Sequence, residues 1–178
     1  MKIGILECGR MPDVMSAQVG QYPPMFMRLL DGHGFDFQTW HVEGMEFPES
    51  VAQALGGRVE KFAGGWAVGP QDYTFDVGPV RLNAWHQDQV VIPPDSAQTV
   101  GHNAFCAHAA LIYPGKGFSV QAHPEFSDAV VQGLIDHRGP GVVPKPLLQA
   151  AQDGLGRADS QALAERIADF FTHHATRR

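Results

Sequence analysis

The sequence predicts an α/β fold in which a parallel sheet is flanked by helices, and three observations lead there. A short apolar strand opens the chain and is followed by a helix and a second strand. The middle breaks into brief strand-like runs divided by Gly and Pro, and the end returns to amphipathic helix. No internal repeat, low-complexity tract or linker divides the 178 residues, so residues 1–178 are expected to form one domain.

Residues 2–8, Lys-Ile-Gly-Ile-Leu-Glu-Cys, make a short buried strand of the kind that opens a parallel sheet. A Gly/Pro/Met-rich loop is expected next. Pro23 and Pro24 suit the first turn of a helix, where a missing N–H costs nothing. Tyr22, Phe26, Leu29 and Leu30 fall on one face of that helix, and Gly32 is its expected stop. Residues 35–42 alternate as a second strand. Residues 58–62, 67–68, 73–77 and 80–85 then predict an antiparallel excursion of hairpins. Two more strands are expected at 105–113 and 118–122, joined by a turn over Pro114, Gly115, Lys116 and Gly117. Helix is expected over 142–152 and again from Ser160. There Asp159 or Ser160 can cap, and Leu163, Ile167, Phe170 and Phe171 form an apolar stripe suited to core packing.

Composition narrows the function. Thirteen Lys and Arg against nineteen Asp and Glu give a net charge of −6, which argues against a nucleic-acid partner held by phosphate neutralisation. Hydrophobic residues at 44% support a packed core. No apolar run approaches the roughly 20 residues of a membrane helix, and the opening residues are too short an apolar run for a signal peptide. Two cysteines, Cys8 and Cys106, make no disulfide framework, so a reducing cytoplasm is expected.

The sharpest chemical motif is Gln121-Ala122-His123-Pro124-Glu125-Phe126. Phe118, Val120 and Ala122 alternate, which turns one strand face inward and leaves His123 at the carboxyl end on the other side. Ligands of open α/β sheets bind beyond the carboxyl ends of strands. Glu125, two residues on across a stiffening Pro124, can accept a hydrogen bond from one imidazole nitrogen and leave the other as a base. The same tripeptide also suits a surface His-Pro turn with a solvated Glu. Trp85-His86-Gln87-Asp88-Gln89, directly after a strand, suits either a ligand-contacting loop or a hydrophilic connection anchored by Trp85. His102, Cys106 and His108, with His86 and Asp88, invite a metal reading. Their spacing matches no standard zinc pattern, and Cys106 among apolar neighbours fits a small buried hydrophobe.

Taken together, the chain resembles the class I (type 1) glutamine amidotransferases, above all stand-alone relatives of the GMP-synthase amidotransferase domain. The resemblance lies in Lys2-Ile3-Gly4-Ile5-Leu6, then Ala52-Gln53-Ala54-Leu55-Gly56-Gly57-Arg58-Val59. It continues through Asn83-Ala84-Trp85-His86-Gln87-Asp88-Gln89-Val90 and ends in the His123-Pro124-Glu125-Phe126 motif. It implies a flavodoxin-like, doubly wound sheet with an antiparallel excursion. It also implies a Cys-His-Glu triad that hydrolyses the side-chain amide of glutamine or a γ-glutamyl compound without a cofactor. His123 would be the base and Glu125 its orienter. His86, Gln87, Asp88 and Gln89 would lie against the bound small molecule.

One departure changes the expectation. The family nucleophile sits on a Gly-x-Cys-x-Gly elbow before the helix that ends in the Ala52–Gly57 motif, and no such elbow is present. Only residues 45–51 separate the second strand region from that motif, whereas a strand–helix–strand unit needs about 30 residues. Two central strands are therefore expected to be deleted, with the domain internally truncated between about residues 45 and 52. Cys8, Cys106 and Ser50 are the stand-in nucleophiles to consider, and none lies on such an elbow. The expectation is a glutamine amidotransferase-like chain that is inactive as written. A non-catalytic binding or scaffold protein and a metal-dependent hydrolase are the alternatives.

Overall fold

A computed structural model describes residues 2–7, 9–41, 57–114 and 117–174. The expectations that concern Cys8, Ser50, residues 45–51 and most of the Ala52–Gly57 motif lie outside the described residues, as do Gly115 and Lys116 of the predicted turn.

The parallel opening is present. Strand β1 (Lys2–Glu7) pairs in parallel with β2 (Asp36–His41), from Lys2 opposite Asp36 to Glu7 opposite His41. Between them run two helices, α1 (Asp13–Val19) and α2 (Tyr22–Leu29). Helix α2 carries its prolines in the first turn as expected. Helix α1 replaces the predicted loop: Met15 of the helix and Met11 just before it both bury in the second core, which outweighs the local Gly and Pro content.

The hairpin excursion is larger and more continuous than expected. Strand β3 (Arg58–Lys61) pairs with β6 (Asp88–Ile92) as a separate antiparallel ribbon. The main sheet has the order β5-β4-β7-β8-β9. Its members are β4 (Ala67–Phe75), β5 (Gly78–His86), β7 (Gln98–His102), β8 (Ala110–Tyr113) and β9 (Gly117–Val120), paired antiparallel throughout. The runs at 67–68 and 73–77 are thus one strand that passes through Gly69 and Pro70. Strands β6 and β7 were not anticipated, because neither carries a clean alternation of apolar residues. The predicted strand over 105–113 is halved, since Asn103 Oδ1 accepts the backbone N–H groups of Phe105 and Cys106 and bends the chain there.

Three helices complete the fold: α3 (Asp128–His137), α4 (Lys145–Gly154) and α5 (Gln161–His174). Helix α3 was not predicted; it buries Val130, Val131 and Leu134 on one face, with Ile135 partly buried beside them. Asp159 accepts the N–H of Gln161 at 3.1 Å and so caps α5, one of the two predicted options. The stripe on α5 packs as expected. Leu163, Ala164 and Ile167 lie against Tyr73, Leu82 and Ala110 of the main sheet, and Phe171 contacts Phe35 edge-on. A second core joins α1, α2 and α3 through Met15, Met25, Phe126 and Val131. A third sets Val68 against Ala151 of α4, so helices cover both faces of the sheet.

The α/β class is therefore as predicted, with one difference in the sheet. Among the described residues the parallel part is only β1 and β2, and no strand hydrogen-bonds β1 to the larger antiparallel sheet. What lies between them is a cavity of about 300 Å³, lined by Ile5 of β1 on one side and Val120 of β9 on the other. The described part of the chain contains no helix long and apolar enough to cross a membrane.

Candidate active site

His123 and Glu125 lie on the turn that leaves β9 and enters α3. The His123 ring donates from Nδ1 to Glu125 Oε1 at 2.7 Å. A carboxylate only accepts, so the proton sits on Nδ1 and Nε2 is left as the basic nitrogen. The His123 side chain is 30% exposed, while that of Glu125 is 1% exposed. This is a solvent-reachable imidazole on a buried carboxylate. The ring also stacks on Phe126, with centroids 4.0 Å apart and planes within 5°. The solvated-Glu alternative is therefore excluded by burial.

A residue that motif reasoning did not single out holds this turn. The Asn83 carbonyl in β5 accepts the N–H of His123 at 2.7 Å, and its side-chain Nδ2 donates to the Phe126 carbonyl at 3.0 Å. Both ends of the His-Pro-Glu-Phe turn are thereby pinned to the sheet. The signal was visible in sequence: a lone Asn inside the strand run Val80 to Trp85 must find a partner when buried.

The His86–Gln89 segment is placed less uniformly. His86 ends β5, donates from Nδ1 to the Asp88 carbonyl at 3.1 Å, and has a buried Nε2 with no partner. Burial pushes its basicity down, and the nearby His123 adds to that. Gln87 accepts the N–H of Phe62 through its carbonyl. Asp88 is exposed, and Gln89 is buried with Nε2 unpartnered. Among the described residues, none of the four lines the cavity beside His123 and Glu125.

Cys106 does not stand in as a nucleophile. It lies 1% exposed in the main core, accepts a hydrogen bond from Gln121 Nε2 at 3.0 Å, and burial pushes its thiol up to about 11. A thiol so held stays protonated near neutrality and is inert. His108 meets Thr99 Oγ1 instead of a metal partner, and His102 is exposed on β7. Among the described residues no group of three His, Cys, Asp or Glu side chains is gathered to hold a metal ion.

A second imidazole–carboxylate pair, unforeseen from sequence, closes the carboxyl end of the parallel strands. His41 Nδ1 donates to Glu7 Oε2, with the Glu7 side chain only 4% exposed. Glu7 and Glu125 line the same cavity, together with Tyr22.

The fold around this site is similar to those of solved glutamine amidotransferases. The structure of a glutamine amidotransferase from Methylobacillus flagellatus superposes with a TM-score of 0.66 at 16% identity, covering 97% of this chain and 93% of that one. A glutamine amidotransferase from Thermotoga maritima superposes with a TM-score of 0.59 at 13% identity, covering 98% of each chain. No protein-family model and no curated protein sequence matches the chain. The class defined is an α/β protein with a histidine–glutamate dyad at a strand's carboxyl end. Its fold is that of the class I glutamine amidotransferases.

Proposed function

We propose that this chain is a glutamine amidotransferase-like protein that keeps the base and the orienting carboxylate of a Cys-His-Glu triad but, as a 178-residue chain, performs no amide hydrolysis. The observation that carries the reading is the 2.7 Å bond from His123 Nδ1 to the buried Glu125. It leaves Nε2 able to take a proton from a nucleophile and return it to a departing ammonia, the division of labour a triad needs. The likeness in fold to proteins named glutamine amidotransferases supports the same substrate class, the side-chain amide of glutamine or a γ-glutamyl compound. His86, Gln87, Asp88 and Gln89 would lie against that small molecule, as the resemblance implies. We also propose that the chain is a single domain, internally shortened between about residues 45 and 52, and that it works in the cytoplasm, as its sparing use of cysteine supports.

The reading of inactivity rests on the nucleophile. The cysteine among the described residues, Cys106, is buried and protonated. The test is ammonia release from glutamine and from γ-glutamyl amides by the purified chain. None is expected. Release that survives purification and disappears in His123→Ala would overturn the proposal. An intact mass several kilodaltons above 19.4 kDa would show that a segment is missing, and would restore the hydrolase.

A further inference from the structure

The chain holds two Asp-Gly pairs, Asp31-Gly32 and Asp153-Gly154. Such a pair is open to a slow self-reaction, because glycine has no side chain to hinder attack by its nitrogen on the aspartate side-chain carboxyl. The two pairs sit in opposite situations. Asp31-Gly32 lies just past the end of α2, and both residues are exposed, as are His33 and Gly34 after them. The Gly32 N–H donates to Asp31 Oδ1 at 2.9 Å, so the carboxyl group already lies against the nitrogen that would attack it. Gly32 has a φ of +81°, which favours glycine, and a Cβ there would meet nothing within 4 Å. A ring has room to close, and water can reach it. Asp153-Gly154 instead ends helix α4. Gln149 Nε2 donates to Asp153 Oδ1 at 2.9 Å and holds that carboxylate one turn back along the helix. A Cβ on Gly154 would lie 3.2 Å from Pro70 Cδ, so this helix end is packed on β4. Ring closure there would also force Asp153 out of helical backbone angles.

We propose that Asp31 is a self-modification site, at which the folded chain converts aspartate to isoaspartate. The Gly32 nitrogen attacks the protonated side-chain carboxyl of Asp31. A C–N bond forms, the nitrogen loses its proton and one water departs, which leaves a five-membered succinimide. Water then opens the ring. Attack at the former side-chain carbonyl restores aspartate. Attack at the main-chain carbonyl breaks the original peptide bond, so the chain runs through the side-chain carbon and the main-chain carboxylate is set free. One water leaves and one returns, and no oxidant or reductant takes part. The product adds a methylene to the main chain where α2 turns toward β2. Leu30, next to it, is 5% exposed in the main core, so the added length falls beside a packed residue. The freed carboxylate is the group that a protein isoaspartyl methyltransferase esterifies, taking the methyl group of a sulfonium donor that departs as a thioether. The site does not depend on amide chemistry at His123, and it stands even if glutamine is never a substrate.

The experiment incubates the full folded chain at neutral pH in heavy-oxygen water, digests it, and follows the peptides that contain residues 31 and 153. Isoaspartate is read by chromatographic separation with mass spectrometry, which also reports the heavy oxygen taken up at ring opening. Methyl incorporation by an isoaspartyl methyltransferase gives a second reading. Isoaspartate at residue 31 is expected to accumulate at least about tenfold faster than at residue 153, which must first unwind its helix end. In urea, where neither pair is held, the two rates should converge. Asp31→Glu, an exposed change that keeps the charge and disfavours closure of the smaller ring, should abolish the signal from that peptide. Equal or slower accumulation at residue 31 in the folded chain would overturn the proposal. So would a difference that persists unchanged in urea, or a signal that survives Asp31→Glu. The comparison of the two wild-type peptides decides the matter even if the variant fails to fold.

Discussion

At the scale of single residues, a buried carboxylate dictates which nitrogen of its imidazole partner carries the proton. Glu125 holds His123 as the Nδ1–H tautomer. Replacing Glu125 by Ala is expected to move the ring to a majority of the Nε2–H form, the form favoured in water, and nitrogen chemical shifts of labelled histidine would report it. His86 gives a second expectation. Burial, helped by the neighbouring His123, keeps its folded-state pKa below the ordinary 6.5. The unfolded chain therefore takes up that proton first as pH falls. The stability tied to His86 is complete above pH 6.5 and is lost on acidification through that value. The urea midpoint should fall between about pH 7.5 and about 5.5, and fall less in His86→Gln. His123 and Glu125 were legible in sequence because two residues across a proline leave few ways to avoid each other. Glu7 and His41 were not, since 34 positions separate them and only strand pairing brings them opposite.

At the scale of elements, local pattern competed with packing and sometimes lost. Pro23 and Pro24 announced α2, and the stripe of Leu163, Ile167 and Phe170 announced α5, because both signals are intrinsic to a helix. Strand β4 hid behind its Gly69 and Pro70, which ordinarily punctuate a chain. Gly69 is there for a tertiary reason: its φ is +69°, and a Cβ would lie 2.6 Å from the Cβ of Ala151 on α4. Gly69→Ala is therefore expected to destabilise the protein by about 1–3 kcal/mol through overpacking and backbone strain. Urea denaturation checks this. A midpoint unchanged from wild type would mean that α4 does not press on β4 as described.

At the scale of the whole molecule, the parallel pair and the antiparallel sheet are joined by side chains alone among the described residues. Strand β1 reaches the rest of the fold through β2 and α2, while β4 and β5 are paired along nine residues and covered by helices. A pair held by fewer buried apolar side chains opens at lower free energy, and β4 and β5 bury Val68, Tyr73, Phe75, Val80 and Leu82 where β2 buries none. Amides of β1 and β2 should then exchange with deuterium at least about tenfold faster than those at the centre of the β4–β5 pair. Equal protection would show a sheet more continuous than this. The sequence by itself determined the α/β class, helices α2, α4 and α5, and the pairing of His123 with Glu125, because each follows from spacing over a few residues. Tertiary structure alone decided that Asn83 pins the His123 turn, that Cys106 is a buried inert thiol, and that Glu7 and Glu125 line one cavity. These depend on which distant surfaces exclude water together, and short-range periodicity does not encode that.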